Sequence, residues 1–83
     1  MTRKEQAYNK VQQLNQEIIE LQEYIKNIET EYEIITDQYM NGDIHYSIGK
    51  QQNKLMKLRD SHIKNINKKA KEISRLQIKY GLG

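Results

Sequence analysis

Residues 7–39 read AYNKVQQLNQEIIELQEYIKNIETEYEIITDQY. Within this stretch Ala7, Val11, Leu14, Ile18, Leu21, Ile25, Ile28, Tyr32, Ile35 and Tyr39 recur in alternating steps of four and three. A mean step of about 3.5 residues keeps every one of these side chains on a single seam of an α-helix. Such a seam is stable only when another helix covers it. The stretch therefore predicts an all-α fold of coiled-coil type and requires a partner helix.

The partner is expected in the same chain. Proline, the commonest helix breaker, is absent from all 83 residues, and Asn41-Gly42-Asp43 is the one strong interior turn signal. The first helix is predicted from about residue 2 to 40, with Thr2 as N-cap and Glu5 at the reciprocal capping-box position. Gly42 suits the left-handed position just past a helix end. The turn takes about residues 41–47, and the second helix about 48–80, capped by Asp43 or Ser47 and ended by Gly81-Leu82-Gly83. Gly49 weakens its first turn by about 1 kcal/mol relative to alanine. The chain thus reads as one domain, 1–83, an antiparallel two-helix coiled-coil hairpin.

The register of that hairpin follows from a simple test. If Gly42 and Asp43 form the apex, facing residues have numbers of nearly constant sum. A sum of 87 pairs Tyr39 with Ile48, Tyr32 with Leu55, Leu21 with Ile66, Leu14 with Ile73, Val11 with Leu76 and small Ala7 with large Tyr80. Three polar residues share the seam: Gln52 opposite Ile35, Arg59 opposite Ile28 and His62 opposite Ile25. His62 is the seam's one titratable switch candidate, with its polar end expected in water at the edge of the stripe. Each helix spans roughly 55 Å at 1.5 Å per residue, and two rods sharing one seam enclose little interior. Met56 and Ile63 on one flank, and Leu58 and Leu76 on the other, widen the apolar stripe of the second helix. A stripe that wide suits a bundle, so a homodimer forming an antiparallel four-helix bundle, or a larger protein partner, is expected.

Charge divides the chain. Residues 1–40 carry four basic and eight acidic side chains, a net −4, while residues 41–83 carry ten basic and three acidic, a net +7. A chain with one acidic and one basic half is suited to folding back or to head-to-tail assembly. The absence of cysteine excludes disulfides and thiolate metal sites and fits a reducing compartment. No apolar run approaches a bilayer span, and the charged N-terminus has no apolar core behind it, so a cytoplasmic protein is expected. Richness in Lys, Ile, Asn, Gln, Glu and Tyr suggests an AT-rich coding sequence, as in a low-GC bacterium or a phage or mobile element living in one.

Chemistry-bearing motifs are weak. Gly42 to Lys50 resembles a phosphate-binding loop only superficially: six residues separate the glycines where four are required, Gln51 stands where Ser or Thr is needed, and no strand precedes it. The turn Tyr39-Met-Asn-Gly-Asp-Ile44 loosely resembles hairpin tips in the coiled-coil insertions of large serine recombinases. That likeness covers about ten residues of general helix–turn–helix grammar, with His45 where those tips carry Thr or Ser, and it identifies no family. Ser47, Ser61 and Ser74 lie in no nucleophile motif, and no Glu-x-x-His pair is present. No catalytic residue, cofactor or metal is assigned.

Two surfaces are left as candidates. Lys50, Lys54, Lys57, Lys64, Lys68, Lys71, Arg75 and Lys79 form a basic ridge opposite the stripe, over about 44 Å at 1.5 Å per residue. It reads as a solvated coiled-coil face or a protein-docking surface before it reads as a phosphate track, because base-stacking aromatics are not interleaved with it. On the first helix Glu17, Glu29 and Glu31 flank the seam and can meet basic residues across it, while Glu20, Glu23, Glu33 and Asp37 point elsewhere. A non-enzymatic protein-interaction module (regulator, inhibitor or adaptor) is the leading expectation. A nucleic-acid-binding accessory protein using the ridge is the alternative, and an assembly or scaffolding component a further one.

Overall fold

The computed structural model describes residues 1–40, 42 and 48–82. They form two helices, α1 (Arg3–Met40) and α2 (Ile48–Tyr80), packed against each other. The particle measures 61 × 17 × 14 Å, the length of one helix and the width of two. A single 80-residue helix would be about twice as long at 1.5 Å per residue. The molecule is a helical hairpin.

Local chemistry sets the ends. The Glu5 backbone N–H donates to Thr2 Oγ1 at 3.1 Å, and the Gln6 N–H donates to the Thr2 carbonyl at 3.0 Å, so Thr2 caps α1. Gly42 has φ +87°, and its N–H donates to the Tyr39 carbonyl at 3.2 Å. Gly81 has φ +64°, and the next N–H, of Leu82, reaches back to the Gln77 carbonyl at 3.0 Å. Both glycines thus occupy the left-handed position past a helix C-terminus, which other residues adopt only with strain. Capping of α2 by Asp43 or Ser47, and the place of His45, lie outside the described residues.

Contacts across the hairpin fix its register. Four cross-helix pairs, Gln52–Thr36, Arg59–Glu29, Lys69–Glu17 and His62–Tyr24, have residue numbers summing to 88, 88, 86 and 86. They scatter evenly about 87. In heptad terms, Val11, Ile18, Ile25 and Tyr32 are a positions of α1 and Ala7, Leu14, Leu21, Ile28 and Ile35 are d. On α2, Gln52, Arg59, Ile66, Ile73 and Tyr80 are a, and Leu55, His62, Lys69 and Leu76 are d.

The core is thin. Among the described residues only Ala7, Val11, Leu14 and Ile28 are buried, all of them on α1. Ile18, Leu21, Ile25, Tyr32 and Ile35, with Leu55, Ile66, Ile73, Leu76 and Tyr80, are half-buried, because one neighbouring helix covers only one side of each. Tyr39 differs from the expectation: it is 52% exposed, so the seam has opened by the last turn of α1. Its expected pairing with the side chain of Ile48 lies outside what is described, which for Ile48 is the backbone alone. Leu82, turned back after Gly81, is half-buried and lines a groove with Lys4, Glu5, Tyr8 and Asn9, closing the open end of the hairpin.

Candidate functional site

Polar contacts cluster along the seam, where the two helices exchange side chains. Gln52 Nε2 donates to Thr36 Oγ1 at 3.2 Å, and Thr36 Oγ1 donates to the Tyr32 carbonyl at 2.9 Å. Arg59 Nε donates to Glu29 Oε1 at 3.2 Å. Lys69 Nζ donates to Glu17 Oε2 at 2.8 Å, and Gln13 Nε2 supplies a second bond to Glu17 at 3.2 Å. The hydrogen bond from Lys69, reinforced by its charge, lowers the Glu17 carboxyl below its ordinary value of 4.5 against the opposing effect of burial. Glu17 and Glu29 therefore meet cations across the seam. Lys69 was not singled out by sequence reasoning, although it sits at the seam position level with Ile18.

His62 is half-buried and departs from its expected solvated placement at one ring nitrogen. Its ring stacks on Tyr24 with centroids 5.8 Å apart and planes 21° apart, and its Nδ1 is buried without a hydrogen-bond partner. Packing holds the ring in the seam, at a cost in unmet hydrogen bonding.

Outside the seam the hairpin presents distinct surfaces. The ridge residues Lys50, Lys54, Lys57, Lys64, Lys68, Lys71, Arg75 and Lys79 are all exposed. Arg75 lies 3.9 Å from Glu72, and Lys79 lies 5.5 Å from the centre of the Tyr80 ring. Along α1, Glu20, Glu23, Glu33 and Asp37 are all exposed, Glu23 and Asp37 on the outer edge and Glu20 and Glu33 toward the two sides. Between these edges are two broad sides. One joins Ile28, Glu29, Tyr32 and Glu33 of α1 to Met56 and Arg59 of α2; the other joins Glu31 and Ile35 to Gln51, Lys54 and Leu55. The grooves along both sides are open to solvent.

Large apolar side chains occupy both sides. Tyr8, Ile19 and Met56 are exposed on the first side, where Ile63 is half-buried; Tyr24, Ile34 and Leu58 are exposed on the second. Of the four residues expected to flank the α2 stripe, Leu76 belongs to the seam itself. Among the described residues no group of three or more His, Cys, Asp or Glu side chains is placed to hold a metal ion, and no helix is long and apolar enough to cross a membrane.

Comparison with protein-family models, curated proteins and solved structures found no match to this chain.

Proposed function

We propose that this chain is a non-enzymatic protein-interaction module, a small cytoplasmic regulator, inhibitor or adaptor that works through its helical faces. The observation carrying this reading is the imbalance between core and surface. Among the described residues four side chains are buried, while Tyr8, Ile19, Tyr24, Ile34, Met56 and Leu58 stand 39–57% exposed on the two broad sides. Apolar surface left uncovered on so thin a fold is what a helical partner covers. The same imbalance supports a homodimer in which two hairpins complete a four-helix bundle, leaving other faces for a second protein. Sedimentation equilibrium at micromolar concentration tests it: a dimer is expected, and a stable monomer across that range would contradict the homodimer.

A second reading rests on the exposure of the whole basic ridge, which suits a phosphate backbone. Against it stands the acidic α1 packed alongside, whose field opposes an approaching polyanion. Wild-type protein is expected to bind duplex or single-stranded nucleic acid weakly at most, with binding lost near physiological salt. Tight binding at that salt, abolished by the triple variant K64E/K68E/K71E, would promote the second reading to first.

A further inference from the structure

We infer that the side of the hairpin bearing Tyr8, Ile19, Met56 and Ile63 is the surface on which a second copy docks, with α1 lying antiparallel to the partner's α2 and both turns at the same end. This rests on the homodimer reading and specifies its geometry. Heptad position e of each helix faces this side, since Glu29 and Met56 share its groove, and position b lies next to e, as Glu33 shows in the same groove.

Two observations on the b and e lines point to a second copy. The first is loss of charge. The chain is 30% charged, yet these lines carry no charged residue from Tyr8 to Gln22 on α1 or from Ile63 to Gln77 on α2. Apolar residues there alternate with amides and small residues, including Ala70 and Ser74. Depletion of charge at the centre of a patch is the compositional mark of an interface core. The opposite side does not share it: its α2 lines hold Lys54, Lys68, Glu72, Arg75 and Lys79.

The second observation is a pair of charges of the wrong sign. Lys26 is a cation in the acidic helix, and Asp60 is an anion in the basic one. Both lie on b lines, both are exposed, and neither forms an ion pair among the described residues. A two-fold axis parallel to the helices preserves height along the rod, so the hairpin's own register carries over to the contact with the partner. Lys26 then stands within one residue, about 1.5 Å of rise, of the partner's Asp60, and the symmetry makes this contact twice. Ile19 comes level with the partner's Asn67 and Ala70, large against small. A two-fold axis perpendicular to the helices would instead stack acidic α1 on acidic α1.

The experiment is a charge exchange read by sedimentation equilibrium, with circular dichroism confirming helicity. Lys26→Glu and Asp60→Lys are each expected to weaken the dimer about tenfold by placing like charges together at two symmetric contacts. The double variant should recover to within about threefold of wild type. Ala70→Glu should abolish the dimer, and Asn27→Glu, on the opposite side, should leave it unchanged. A monomeric wild type would overturn the homodimer reading and this geometry together. A dimeric wild type unaffected by Lys26→Glu, Asp60→Lys and Ala70→Glu would overturn this face alone. Weakening by both single variants without recovery in the double would overturn the α1-on-α2 arrangement.

Discussion

His62 offers the sharpest energetic test of the seam. Its imidazole packs on Tyr24 while Nδ1 lies buried without a partner. A buried polar atom left unsatisfied costs about 1–3 kcal/mol. Replacing His62 by phenylalanine keeps an aromatic ring over Tyr24 and removes that atom. Part of the gain is offset by fitting a larger ring, so His62→Phe should stabilise the hairpin by about 1–2 kcal/mol. For a domain of this size each kcal/mol raises Tm by about 4–8 °C. His62→Leu also removes Nδ1 but sacrifices the stack, worth about 0.5–1.5 kcal/mol, and should gain less. Thermal unfolding followed by circular dichroism, at one fixed protein concentration because association shifts Tm, measures both. A His62→Phe variant no more stable than wild type would refute the reasoning. It would mean that Nδ1 carries no energetic penalty in solution.

Three other variants probe separate parts of the fold. Leu14 is the most deeply buried core residue at 2% exposure, so Leu14→Ala should cost about 2–5 kcal/mol in chemical denaturation, a large share of the stability of so thin a molecule. Among the described residues a Gly42→Ala side chain meets no atom within 4 Å and is opposed by the backbone at φ +87°. It should therefore cost about 1–2 kcal/mol, without the misfolding a clash would bring. Glu17 has a lowered carboxyl pKa from its bond with Lys69. Its contribution is present above the unfolded value near 4.5 and is lost as pH falls through the lower folded value. Acid should thus weaken the hairpin from about pH 5 downward, and Glu17→Gln should flatten that part of the stability profile in pH-dependent urea titrations.

The backbone plan was legible because each signal has one physical meaning. The Thr2 cap, Gly42 and Gly81 each answer an unsatisfied helix end, and the heptad of α1 admits only a covered seam. Register was legible too, since an antiparallel pair has a single free offset and apolar matching selects it. What stayed hidden was the chemistry of the seam's polar positions. Lys69 follows Ile66 by three and precedes Ile73 by four, so its seam position was present in the spacing, but a seam traced through its apolar members passes over a lysine. His62 is expected to turn its polar end to water; how far a ring at a d position reaches solvent depends on the side chain it packs on, and stacked on Tyr24 the half-buried ring has Nδ1 buried. Tyr39 continues the heptad by number, yet little of α2 remains to cover it beside the turn, so spacing alone overstates the length of the seam. The identity of a partner is not encoded in periodicity or charge; only the faces offered to it are.

Every face of the molecule follows from the chain folding back on itself about Gly42. Pulsed dipolar spectroscopy on protein spin-labelled at Gln6 and Lys79, both exposed positions near the open end, measures this within one chain once labelled protein is diluted into an excess of unlabelled. The hairpin predicts a single population at roughly 10–20 Å, an interhelical spacing of 8–10 Å plus the label arms. A continuous helix would place the same labels roughly 110 Å apart at 1.5 Å per residue, and absence of the short distance would contradict the hairpin and the faces built on it.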